Sequence, residues 1–300
     1  MVRGSVCAAS AMTMVGNSVA VMGVLRDFPV FAGQAFRFAL AAVLLLVVLR
    51  VRAASLPKAP VTPRHWVRIV VLSALGMVGF NLAVVAAEQD TDPALVGVIV
   101  GCAPVVIALV TPLMARTAPS SRIVLAGIIV TGGAALAQGL GSSSSTQGLL
   151  FSACALAGEV AFALAAAPIL GDLGALRVST YACVAAIPLC LVGVLVTGQF
   201  RLPEPGQLLA LLWLGVVVTA CAYVLWFTAV GDIGPERAGL FTGLVPIAAV
   251  AATALLGTGS PTWAHVLGSA VVLTGLLVGL TTAERRAVDP AEAAAQVPRT

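Results

Sequence analysis

A chain of 300 residues that is 60% hydrophobic and 9% charged, with a mean hydropathy of +1.08, does not describe a soluble domain. Apolar stretches of about 20 residues recur from end to end, each long enough for a bilayer core, and the short gaps leave no room for an extramembrane domain. The net charge of +4 is modest and matters less for its size than for its placement.

The hydropathy pattern predicts ten helical spans, at 4–25, 30–49, 66–87, 93–114, 122–140, 148–169, 174–197, 207–229, 235–257 and 263–281. The fold class is all-α, a polytopic membrane protein. The first span is too long for a signal-peptide core and carries Asn17. The second follows Asp27-Phe28-Pro29, a helix-start signal, and holds Gln34 and Arg37. A basic loop from Arg50 to Arg64 leads to Trp66, where an interfacial anchor belongs, and the third span then carries Asn81. The fifth span is almost wholly apolar and ends in the polar linker Gly141-Ser142-Ser143-Ser144-Ser145. Glu159 lies in the sixth span, and Tyr223 and Trp226 in the eighth. The tail 285–300 mixes Ala, Pro and charge, and disorder is expected there. All six cysteines fall inside spans, where they serve as small apolar residues; no disulfide framework or metal site is expected.

The fourth and ninth spans share a pattern. Pro93 opens P-A-L-V-G-V-I-V-G-C-A-P and Pro235 opens P-E-R-A-G-L-F-T-G-L-V-P. Gly97, Gly101 and Pro104 therefore stand 142 positions before Gly239, Gly243 and Pro246. The leading proline suits a helix's first turn, the glycine pair lets another backbone come close, and the second proline removes a mid-span hydrogen bond. Close packing alone would account for one copy; the duplication asks for more. At the same offset Gly16-Asn17 matches Gly158-Glu159 and Asn81 matches Tyr223. The expected organisation is two five-helix repeats, 1–142 and 143–284. Five is odd, so the second repeat enters the membrane inverted, an architecture associated with secondary transporters.

Charge placement points the same way. With alternate loops on opposite sides, 13 of the 16 basic residues share the side of the N-terminus, only Arg26 and Arg201 face the other, and Arg37 lies within a span. The positive-inside rule then places both termini in the cytoplasm.

These spans, the duplication, Arg37-Phe38 in the second span and the mid-span Pro104 and Pro246 resemble the EamA-like permeases of the drug/metabolite transporter superfamily. The resemblance covers residues 5–281. It implies an inner-membrane carrier, often an exporter of amino acids, other small metabolites or drugs, with a central cavity lined by both halves. It also implies close packing between the fourth and ninth helices. Such permeases often have a Glu just past these helices, where this chain has Arg116 and Thr258, so coupling details do not carry over.

Glu159 is the sharpest chemical signal. An ionised carboxylate near the bilayer centre costs about 2.5–3.5 kcal/mol, so it is a candidate for proton coupling, or else a packing residue held by hydrogen bonds. Arg37 sits about 12 Å deep in its span, at 1.5 Å per residue. It is a candidate for holding a substrate carboxylate, for pairing with Glu159, or for snorkelling. Gln34, one turn away, is expected to join it. Asn17, Asn81, Tyr223 and Trp226 complete the candidate substrate-binding set, with the two aromatics as a wall for an organic solute. His65 and His265 are expected at the membrane interface.

The chain has no zinc, phosphate-loop or nucleophile-elbow motif, and Gly171-Asp172 and Gly231-Asp232 fit helix ends better than a protease centre. The reading is a non-enzymatic secondary transporter with no cofactor and no nucleic-acid partner, monomeric or homodimeric. Import or exchange of sugar-like or nucleotide-linked solutes is the alternative; an intramembrane enzyme or a structural subunit is the rival of another class.

Overall fold

The computed structural model describes residues 1–18, 21, 23–25, 27–55, 59–139, 144–255 and 262–280. The 141–143 linker, Thr258 and the tail 285–300 lie outside these. Among the described residues the protein is helical throughout, with an isolated bridge between Thr91 and Ser144 in place of any sheet. Six helices among the described residues are long and apolar enough to cross a membrane.

The helices are α1 (Val2–Asn17), α2 (Val30–Val51) and α3 (Pro63–Asp90). Next come α4, in two halves (Pro93–Val100 and Ala103–Met114), and α5 (Ser121–Gln138). Thr146–Thr197 is continuous in hydrogen bonding but changes direction at Gly174 (φ 74°, ψ 159°), so we number its limbs α6 (146–173) and α7 (175–197). That left-handed glycine lets the chain turn without a loop, where a gap at 170–173 is expected from hydropathy. Then follow α8 (Pro205–Ile233), α9 in two halves (Pro235–Leu240 and Leu244–Leu255) and α10 (Trp263–Leu280).

Local structure repeats at the 142-residue offset. Thr62 caps α3, its hydroxyl accepting from His65 N–H while His65 Nδ1 accepts from Thr62 N–H, and Pro63 follows. Glu204 caps α8 in the same way through Gln207, and Pro205 follows. Each of these helices then widens to π geometry over eight residues, Leu72–Gly79 in α3 and Leu214–Cys221 in α8. Each segment carries a hydroxyl that donates to a backbone carbonyl. Ser73 Oγ lies 2.8 Å from Ile69 O and 2.9 Å from Ala182 O, and Thr219 Oγ1 donates to Leu214 O at 2.8 Å.

Packing repeats as well. α1 lies on α8, and α6 lies on α3, where Gly158 meets Leu75 O and Phe80 and Gly76 meets Phe162. α2 packs on the π segment of α8, as α7 does on that of α3 through the Ser73–Ala182 contact. α5 and α10 pair with each other, glycine to backbone, through Gly133, Gly268 and Gly275. Shifting every partner by one repeat exchanges these pairings or maps them onto themselves, so a pseudo-two-fold relation runs through the bundle.

Candidate functional site

α4 and α9 are both interrupted where the second proline of each motif stands. Pro104 occupies the first turn of α4's second half, just after the N-cap Cys102, where its missing N–H leaves no gap. The carbonyl of Gly101, exposed by the break, accepts from Thr131 Oγ1 at 3.1 Å. In α9 the break is a single 3-10 turn, Phe241–Gly243, where Thr242 Oγ1 donates to Gly239 O at 2.8 Å. Interrupted helices at membrane depth are tolerated where they line a cavity. Such a cavity is present, with a volume of about 570 Å³.

Both repeats line it. Arg37, Asn81, Glu159, Tyr223 and Trp226 border the space, together with Gly97, Gly101, Gly243 and Pro246. Asn17, Gln34, Pro104 and Gly239 do not. Gln34 acts behind the wall instead. Its Nε2 donates to Asn81 Oδ1 at 3.1 Å while Asn81 Nδ2 donates to Met77 O at 2.6 Å, so the lining amide is held from both ends.

Arg37 neither snorkels nor pairs with Glu159. It is 8% exposed, and its Nε donates to Thr219 Oγ1 at 2.5 Å. Because Thr219 gives its own hydrogen to Leu214 O, its oxygen is left as an acceptor for the guanidinium. The guanidinium carbon lies 5.6 Å from the ring centroid of Phe38. An α2 cation is thus fixed by the π segment of the other repeat. Glu159, one residue after the tightly packed Gly158, is half-buried at the cavity edge.

The aromatic wall is broader than Tyr223 and Trp226. Phe162 of α6 packs, with its ring tilted, 5.0 Å from Tyr223 and 5.0 Å from Phe227, centroid to centroid, and itself borders the cavity. Trp226 is 2% exposed and its Nε1 has no hydrogen-bond partner among the described residues.

Four contributors had no sequence signal strong enough to single them out: Phe80, Phe162, Thr219 and Thr242. His265, expected at the interface, caps α10 through Nδ1 and borders the cavity. The glycine motif divides its labour. Gly97 and Gly101 face the cavity, Gly239 packs against Ile107 of α4, and Gly243 packs against Val130 and Val272.

Two broken helices beside a mostly apolar cavity that holds a few polar groups, framed by duplicated packing, match what the sequence profile of the EamA-like transporter family finds twice, at residues 3–138 and 146–281. The chain belongs to the EamA-like transporter family. It is 25% identical over 280 residues to the uncharacterized transporter YetK of Bacillus subtilis (strain 168), covering 90% of this chain and 84% of that protein. A crystal structure of another protein, 17% identical, superposes with a TM-score of 0.81 over 94% of this chain and 98% of that one, which shows the shared fold. This EamA-like chain is accordingly a multi-pass membrane transporter.

Proposed function

We propose that the protein is a secondary active carrier of the cytoplasmic membrane. It crosses ten times as two inverted five-helix repeats, 1–142 and 143–284, with both termini in the cytoplasm. It exports a small amino-acid-like metabolite or drug-like compound by alternating access, with Glu159 coupling transport to protons. Arg37 and Asn81 take the polar groups of the solute, and Tyr223, Trp226 and Phe162 its apolar body.

The observation that carries this reading is the cavity between the repeats, which brings Arg37, Asn81, Glu159 and the aromatic wall to one space. The loop contacts support the ten-crossing count. Arg3 pairs with Asp232, Arg177 NH1 donates to Ala59 O, and His65 pairs with Asp172, all joining loops assigned to the N-terminal side. Arg201 lies near Asp27 O, Ser145 N–H donates to Asp90 O, and Thr91 bridges Ser144, all on the other. Moreover, 90 and 145 are the repeat equivalents of 232 and 3, so the same two positions touch in both repeats, once by side chains and once by backbone, which supports the inverted reading.

The test is transport in proteoliposomes with an imposed pH gradient and a panel of radiolabelled amino acids and organic-cation drugs. The expected result is gradient-driven flux of at least one of them that Glu159→Gln uncouples. Equal gradient dependence in wild type and Glu159→Gln would remove the proton-coupling role.

A further inference from the structure

The two broken helices are built alike but used unequally. In α4 the first half borders the cavity, through Pro93, Gly97 and Val100; in α9 it is the second half, through Val245, Ala249 and Val250. The α4 equivalents of these α9 residues are shut away: Ala103, Ile107 and Ala108 are 1%, 1% and 0% exposed. Gly239, the equivalent of Gly97, packs on Ile107 instead of facing open space. The first half of α9 and the second half of α4 are in extensive contact, whereas Pro93–Val100 and Leu244–Leu255 make no comparable contact among the described residues. Ala137 of α5 borders the cavity, while its equivalent Gly279 of α10 is covered by the Leu240 side chain. The cavity therefore opens at one end, and the symmetry-related end is plugged.

We propose that Ile107 against Gly239, with Leu240 over Gly279, is the closed gate of the translocation path, at the end nearer the N-terminus. Gly97 and Ala249 are the reciprocal gate, which closes when Ile107 and Gly239 part. The inference rests on the alternating-access reading above and supplies its moving part. Ile107 and Gly239 are positioning residues: they touch each other and decide which end is shut. The chemistry also explains the resting state. The closed pair buries an isoleucine side chain on a bare glycine, while its reciprocal would bury only an alanine methyl, and more apolar area leaves water at the N-terminal end.

A Cβ built on Gly239 lies 3.7 Å from Ile107 Cβ, inside the roughly 3.5–4.5 Å that a disulfide needs. The test uses the full chain with Cys7, Cys102, Cys154, Cys183, Cys190 and Cys221 replaced by alanine, and diamide as the oxidant that takes up the two thiol hydrogens. Ile107→Cys/Gly239→Cys should cross-link at least about tenfold faster than Gly97→Cys/Ala249→Cys. With all four substitutions in one chain, each molecule should form one bridge and keep two thiols, counted by mass after maleimide treatment. Zero remaining thiols would show both ends shut at once and overturn the proposal, as would equal rates in the two-cysteine variants. In the proteoliposome assay, oxidised Ile107→Cys/Gly239→Cys should stop flux and reductant restore it. Full flux through the cross-linked protein overturns the gate and leaves the carrier reading intact. If the reduced protein moves none of the panel, the carrier reading fails, and the thiol count still decides the gate.

Discussion

Gly16-Asn17 in α1 and Gly158-Glu159 in α6 stand at equivalent positions of the two repeats. Both glycines stand against backbone, but on non-equivalent helices, Gly16 on α9 and Gly158 on α3. A Cβ on Gly16 would meet Val245 O and Ala248, and one on Gly158 would lie 2.8 Å from Leu75 O and 3.1 Å from Phe80 Cβ. The residues after them part company: Glu159 borders the cavity and Asn17 does not. A second pair behaves likewise. Thr219 in the π segment of α8 holds Arg37, while its equivalent, Met77 of α3, is fully buried in the core. A glycine pressed against backbone is therefore kept in both halves, though on different partner helices, and the polar chemistry is distributed between them unevenly.

Gly16→Val and Gly158→Val probe the shared part and carry the largest effects. Each forces a side chain into backbone with no flexible neighbour to yield, at a cost of about 1–3 kcal/mol or more. Both variants should lose folded protein in a detergent melting series; a drop in only one would mean the two scaffolds are not equivalent. Next is Thr219→Val, which leaves the Arg37 guanidinium without its acceptor, at about 1–3 kcal/mol. Met77→Leu, a volume-conserving swap at the equivalent site, should stay under about 1.5 kcal/mol. If denaturation places the two the other way round, the Arg37–Thr219 bond is not a support of the fold.

The chemical difference is read in flux. Glu159→Gln should reduce gradient-driven transport on the order of tenfold, the rate equivalent of about 1.4 kcal/mol, and Asn17→Ala by less than about twofold. Comparable losses in both would make the two positions functionally alike. The smallest effect belongs to Arg3→Ala. The Arg3–Asp232 pair is 2.9 Å long, but the arginine side chain is 75% exposed, so its loss should change stability by no more than about 1 kcal/mol. A larger shift, or one that survives high salt, would mean the contact fastens the repeats together.

The duplication and the breaks in α4 and α9 were legible in the sequence because proline and glycine act on their own backbone. The turn between α6 and α7 was only partly so, since one left-handed glycine, Gly174, replaced the loop that hydropathy suggested. The candidate site was legible as depth and not as contact. Spacing puts Gln34 and Arg37 on the same face of α2, yet whether each meets the cavity depends on how α2 is rotated against α3 and α8. Hence Gln34 turned out to brace Asn81, and Arg37 found Thr219, which sits 182 positions away. Phe162 was hidden for the same reason: nothing local distinguishes a phenylalanine facing a solute space from one facing lipid.

The widened turns in α3 and α8 carry a historical implication. A π segment arises when one extra residue is accommodated inside a helix, and it rotates everything beyond it relative to a regular helix. Leu72–Gly79 and Leu214–Cys221 hold that extra residue at the same register. Two independent insertions landing at matching sites is the less economical history; a single insertion in a half-length ancestor, copied when its gene doubled, accounts for both. Deleting one residue from either segment would then undo an adjustment older than the tandem protein itself.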